Sequence, residues 1–367
     1  MSASAGNPFT ASFGVPSDDT YVGREAELAE FRRGLAERPG STQRAIMVSG
    51  PRGVGKTTLI TVMASHARND GWITAQVTAG PSVAEHILDK ATLSAEHLLP
   101  ASQHRFLSGL SVAGFALQTH TIPPDTPSWW RRATKLLDVL EQHGSGLVII
   151  IDEVHHSESD LRPVFQHYQE LVNDRRNVAI VMAGLPSAVE GVLSEQSLTF
   201  VQRAHRQVLG PIDTESIRFA YEAAVSRSGK QIAGNVAELA AQLSEGYPYM
   251  YQLIGYLAWN ASGESPAITE ENVRAVVESA RDLAGQNLYG LEIRSLTLRE
   301  RAFLGAMLLD DGESSISDIA GRLGVTSNNA NYYRSRLVAR GLIEPASHGT
   351  VRYVSSYLRA YLDAHVA

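Results

Sequence analysis

The segment Gly50-Pro51-Arg52-Gly53-Val54-Gly55-Lys56-Thr57-Thr58 constrains this chain more than any other, because the apolar run Ala45 to Val48 leads into it and a run suited to a helix follows. In that setting Gly53 and Gly55 permit the backbone torsions that turn successive N–H groups around an anion, at the positive end of the next helix. The spacing G-x-x-x-x-G-K-T also brings the Lys56 ammonium to β- and γ-phosphates and offers the Thr57 hydroxyl to Mg²⁺. The bland alternative is a plain glycine turn before a helix. The strand, loop and helix order favours a phosphate-binding loop and makes ATP or ADP the first expected ligand.

Further along, Leu147 to Ile151 is a β-branched apolar run of the kind buried on both faces, and it ends in Asp152-Glu153-Val154-His155-His156. At the carboxyl end of a central parallel strand, Asp152 holds Mg²⁺ through water and Glu153 orients or deprotonates an attacking water. A helix N-cap with a first-turn acid is the alternative for two adjacent carboxylates.

With 367 residues the chain has room for two or three domains, and with no cysteine it offers no disulfide framework, cysteine zinc site or thiol nucleophile. No basic-then-apolar leader opens it, and no apolar run approaches the roughly 18 residues of a membrane span. The expected setting is cytoplasmic, without a membrane partner. A formal net charge of -7 argues against a chain that coats nucleic acid throughout, and leaves room for a local basic site.

The alternation of strands and helices predicts an α/β fold, a parallel sheet with helices on both faces, over 21–211. An arm over 1–20, anchored by Phe9 and Phe13, precedes it. Helices are expected from the Leu28, Phe31, Leu35 stripe, at 57–69, from Trp129-Trp130, and at 161–173; strands at 72–77 and 178–183. The stretch 108–120 reads as a hairpin or irregular insertion and 121–128 as a loop. Beyond Pro211 the strand runs vanish, and helical periods at 214–228, 236–244, 250–261 and 270–284 define an all-helical domain over 212–295.

Residues 296–367 read as a winged helix-turn-helix: helices at 298–309, 316–323 and 327–340, then a hairpin over 346–355 with Gly349 at its tip. The third helix carries Asn328, Asn329, Asn331, Tyr332, Arg334 and Arg336, with Asn328, Asn331, Arg334 and Arg336 the candidates for contact with double-stranded DNA. From Arg322 to Arg359 there are six arginines against one acid, Glu344. That local excess on an acidic body suits a module that alone touches DNA; an intramolecular clamp or protein-docking module is the alternative.

Taken together these motifs resemble the AAA+/STAND superfamily, in particular bacterial and archaeal ATPases built like origin-recognition initiators. The resemblance implies that Val22-Gly23-Arg24 lies beside adenine, that the helical domain is a lid, and that Pro248 of Gly246-Tyr247-Pro248 packs at the nucleotide. It also implies an arginine finger presented in trans within a homo-oligomer, with Arg203 first and Arg206 second. Two departures stand out. No Lys or Arg occurs from Gly246 through Asn272, where such proteins carry a lid arginine, and the fourth strand ends in Met182-Ala183-Gly184, leaving Ser187 as the nearest polar sensor.

The expected function is an ATP-binding, slowly hydrolysing ATPase that works as a nucleotide-dependent switch coupled to a DNA-binding winged helix. The alternative is a signalling or assembly ATPase, in defence, transposition or regulation, whose winged helix docks on protein; a metabolic P-loop kinase would leave the last two domains without a purpose. With few groups poised around the γ-phosphate, steady-state turnover is expected below about 1 per second, the low end of common values. A faster rate of phosphate release overturns that expectation.

Overall fold

Each apolar run of the first half becomes a strand whose two faces are both covered. The computed structural model describes residues 6–10, 21–96, 129–154, 158–194 and 199–366. Phe13, the 108–120 insertion, the 121–128 loop, His155 and His156 lie outside the described residues. The chain divides into two compact units, one of Arg24–Gly50 with Lys56–Leu209, the other of the described residues up to Gly23, Pro51–Gly55 and Gly210–Ala367.

In the first unit, β1 (Ala45–Ser49), β2 (Ile73–Thr78), β3 (Leu147–Val154), β4 (Val178–Gly184) and β5 (His205–Val208) form a sheet in the order β2-β3-β4-β1-β5, every pair parallel. β4 therefore lies between β1 and β3, in register Ile46↔Val181 and Ile149↔Ile180. Helices Glu25–Ala36, Lys56–Asn69, Val83–Glu96, Trp129–Gln142 and Glu158–Asn173 accompany the strands. The expected elements are present, with ends moved by a residue or a few. Sequence patterning missed the helices Val83–Glu96 and Pro186–Ser194 and one strand of this sheet, β5. Its sequence, His-Arg-Gln-Val, has no apolar run, and its inward residue is Gln207, whose side-chain amide donates to the Glu27 carbonyl at 3.2 Å and to Glu30 at 3.2 Å. Backbone pairing with β1, not side-chain hydrophobicity, defines this edge strand.

In the second unit, helices Thr214–Arg227, Gly234–Leu243, Pro248–Ala261 and Glu270–Ser295 are joined by a two-residue parallel ladder, β6 (Gln231–Ile232) with β7 (Ala267–Ile268). So short a ladder leaves no periodic trace in an otherwise all-helical segment. The last of these helices runs to Ser295 instead of stopping near Ala284. The interruption at Gly285 is a packing device, because a Cβ there would collide with Tyr361. Phe9 is buried against Gly255 and the rings of Tyr221 and Tyr251, centroids 5.6 Å away in each case.

Helices Leu298–Met307, Ile316–Leu323 and Ser327–Ala339 follow, with β8 (Ser314–Ser315), β9 (Ile343–Pro345) and β10 (Thr350–Tyr353) in the antiparallel order β8-β10-β9. This is the helix and strand order of a winged helix. Gly324 (φ +62°) turns the chain between the second and third helices, and Gly349 (φ +77°) sits between the two wing strands. A further helix, Ser356–Val366, closes the chain. Buried side chains from Ile212 to Leu362 form one connected cluster, so the lid and winged-helix segments share a core.

Glu300 is fully buried within that core. Burial opposes its charge, but hydrogen bonds from Arg336 (2.6 Å) and from the Thr297 backbone and hydroxyl (2.8 Å each) outweigh it and hold the carboxyl at about 2. A carboxyl depressed in the folded state stabilises it above the unfolded pKa, near 4.5, and loses that contribution as the pH falls toward 2. Glu300→Gln is expected to cost about 1–3 kcal/mol at neutral pH and to flatten the loss of thermal stability below pH 4.5. Unchanged melting curves across that range would reject the assignment.

Candidate nucleotide site

β1 delivers the chain to Gly50, and the helix that starts at Lys56 receives it, held by buried Leu59, Ile60 and Met63. Between them Gly53 (φ +76°) and Gly55 (φ +92°) take left-handed torsions that side chains rarely adopt, while Val54 is buried and pins the loop. The Lys56 Nζ donates to the Gly50 carbonyl at 2.8 Å, which draws the ammonium across the mouth of the loop. Thr57 is exposed and Thr58 half-buried in the helix's first turn.

Pro51–Gly55 packs within the second unit. A Cβ on Gly55 would lie 3.3 Å from Pro248 Cγ, one on Gly53 would lie 3.0 Å from Leu288 Cδ1, and the Tyr249 N–H donates to the Gly53 carbonyl at 3.3 Å. Arg52 Nη2 meets Glu292 Oε1 at 2.8 Å. Pro248 begins its helix at a position where the missing N–H costs nothing, after Gly246 (φ +78°), whose Cβ would strike Pro211 at 2.5 Å.

β3 continues past its apolar run through Asp152 and Glu153. Its register with β4 shifts between Ile151↔Met182 and Val154↔Gly184. In that irregularity Glu153 takes φ +52°, a strained torsion for glutamate, and its N–H donates to Asp152 Oδ1 at 2.8 Å. Asp152 is half-buried and Glu153 exposed. The neighbouring end of β4 is Met182-Ala183-Gly184, all buried, and a Cβ on Gly184 would lie 2.9 Å from the Val154 carbonyl oxygen. The irregularity in β3 that tilts the carboxylate pair thus occupies the space a polar side chain would need at the end of β4. Ser187 is half-buried in the helix Pro186–Ser194.

Thr57 and Asp152 supply oxygen donors suited to Mg²⁺, an ion that takes few protein ligands and keeps several waters. Among the described residues no cluster of three or more His, Asp or Glu forms an all-protein metal cage. The Thr57 hydroxyl and Asp152 carboxylate are of the oxygen chemistry that a phosphate-bound Mg²⁺ takes.

Val22 packs half-buried on the second unit's core, and Gly23 (φ +74°) follows it, with Ile212 Cγ2 2.5 Å from where its Cβ would be. Arg24 is buried in the first unit, 3.5 Å from Glu27. Arg203 and Arg206 are both exposed, the latter on edge strand β5.

In the winged helix, Asn328 and Asn331 are exposed and Arg334 is half-buried. Arg336 is engaged by Glu300 and by the Tyr332 ring, 5.6 Å from its centroid. Five of the six arginines counted in the sequence are ion-paired: Arg322 with Asp310 (2.6 Å), Arg336 with Glu300 (2.6 Å), Arg340 with Glu292 (3.2 Å), Arg352 with Glu344 (2.7 Å) and Arg359 with Asp311 (3.4 Å). Arg334 has no ion pair among the described residues. Sequence reasoning missed Glu300, although the T-x-x-E spacing from Thr297 is a local signal for its capping box; Glu292 and Asp310 carry no local signal of their role.

Residues 20–181 match the family model described as AAA ATPase domain, and residues 286–362 match one described as Domain of unknown function (DUF8462). No curated protein matches the sequence. A Walker-type ATPase of Pyrococcus abyssi shares the fold with TM-score 0.66 at 15% identity, over 94% of this chain and 96% of that one. The ORC2 protein of Aeropyrum pernix, described as ADPNP-ADP complexes, does so with TM-score 0.66 at 14% identity, over 95% and 96%. Residues 20–181 thus match an AAA ATPase domain, and the chain shares its fold with these two structures. No described helix is long and apolar enough to cross a membrane.

Lys56→Ala is expected to abolish binding of a fluorescent ATP analogue. Glu153→Gln is expected to keep that binding and lower hydrolysis by about 10²-fold or more, the usual contribution of a positioned base. Unchanged turnover in the second variant would reject the role of Glu153.

Proposed function

We propose that the protein is an ATP-dependent switch that hydrolyses slowly and reports its nucleotide state through the winged helix. The observation that carries this reading is the packing of Pro51–Gly55, the turn of the phosphate-binding loop, in one compact unit with the lid and winged helix. In this reading Gly53 and Gly55 open the loop backbone to phosphate, Lys56 neutralises its charge, Val22, Gly23 and Arg24 flank the base, and Pro248 closes on the loop. Thr57 and Asp152 would hold Mg²⁺, which when bound stabilises charge on the phosphates. Glu153 orients the attacking water. The expectation of slow turnover is supported by the buried, side-chain-free end of β4 at Gly184 and by a lid without Lys or Arg from Gly246 through Asn272. Arg203 first and Arg206 second, both exposed, would serve a neighbouring copy as an arginine finger.

For output we favour duplex DNA, engaged by Asn328, Asn331 and Arg334 near the start and middle of the third helix. Arg336 is bound to Glu300, so its share in contact is smaller than its charge suggests. The pairing of the remaining arginines favours a second reading, docking on a protein partner, because paired guanidiniums release few counterions. Sizing the protein with and without ATP and duplex DNA separates the two. The first reading expects an ATP-dependent DNA complex, lost in an Asn331→Ala/Arg334→Ala variant, with a salt slope of about one to three phosphate contacts. No duplex binding at low salt with ATP present leaves the docking reading.

A further inference from the structure

The helix Glu270–Ser295 turns one side to two different structures. Leu288 lies beside Gly53, and Glu292, one turn later, holds Arg52 of the same loop at 2.8 Å. On adjoining positions Gly285 receives Tyr361, and the Tyr289 hydroxyl lies 3.2 Å from Ser355 Oγ in the segment after the wing. Glu292 belongs to both sets. Its Oε1 accepts from Arg52, and its Oε2 accepts from Arg340 at 3.2 Å. Arg340 is the C-cap residue of the third winged-helix helix and also donates to Ser295 Oγ at 2.7 Å.

We propose that Glu292 is a positioning residue of the nucleotide site, steadying the phosphate-binding loop through Arg52 while Arg340 competes for the same carboxylate. The proposal rests on the reading of Gly50–Thr58 as the nucleotide site. Each guanidinium has an oxygen of its own, but both draw on a single negative charge, and without Arg340 that charge and the whole carboxylate turn to Arg52. The Nε–H of Arg52 is buried without an acceptor among the described residues, so this side chain is held by Glu292 alone on its charged end. A ligand that pulls Arg340 away from Glu292 therefore tightens nucleotide binding. By reciprocity, nucleotide favours release of Arg340 and with it a change at the end of the third helix.

All three side chains are roughly 30% exposed, so the coupling is screened and moderate. The test is the dissociation constant of a fluorescent ATP analogue for the full chain and four variants. Arg340→Ala, far from the loop in sequence, is expected to tighten binding by about three- to fivefold, Arg340→Lys to return toward the wild-type value, and Glu292→Gln to weaken binding. In the Glu292→Gln background Arg340→Ala should have no effect. A shift below about 1.5-fold for Arg340→Ala, or one of equal size when Glu292 is already Gln, overturns the proposal. Should Glu292→Gln fail to fold, an Arg52→Ala background answers the same question, since there too the Arg340 effect must vanish. Wild-type protein that binds no nucleotide would reject the site itself, a result distinct from loss of the coupling.

Discussion

The insertion of β4 between β1 and β3 is the constraint on which the candidate chemistry depends. Parallel strands lie about 4.8 Å apart, so two strand spacings set the carboxyl ends of β1 and β3 about 10 Å from each other along the sheet edge. That gap suits a phosphate chain and a hydrated divalent ion. It also means that whatever stands at the end of β4 stands between them, and here it is Gly184, pressed against the irregular turn of β3. The strain at Glu153 and the close fit of Gly184 belong to one local irregularity.

The Glu270–Ser295 helix organises the second unit in a comparable way. Its small residues admit a neighbour where Gly285 meets Tyr361, its buried Val273, Ala280 and Tyr289 join the shared core, and its last turns carry Leu288 and Glu292 to the loop that follows β1. A single rigid element thereby touches both the turn of the phosphate-binding loop and the closing segment of the winged helix. Rigid elements with contacts at both ends are what a switch requires, because a shift at one contact cannot be absorbed locally.

Charge illustrates how far composition can mislead. Six arginines against one acid over 322–359 suggest a basic face, yet the carboxylates that neutralise four of them, Asp310, Glu300, Glu292 and Asp311, come from before that stretch. What remains toward solvent on the third helix is mostly amide and hydroxyl, with Arg334 the one arginine of the six lacking a carboxylate partner among the described residues. Such a face offers hydrogen bonds more than bulk electrostatic attraction.

The sequence by itself determined the phosphate-binding loop, the carboxylate pair after β3, and the succession of parallel-sheet, helical and winged-helix segments. Each of these is written in neighbouring residues: glycine torsions and apolar periods of two or 3.6. Only the tertiary structure decided that polar His205–Val208 pairs as a strand, that Gly285 continues a helix instead of ending it, that Gly184 leaves no room for a sensor, and that Arg52 and Arg340 share Glu292. Those outcomes depend on partners far away in the chain, and no local pattern records which distant backbone or carboxylate will come to lie beside a given residue.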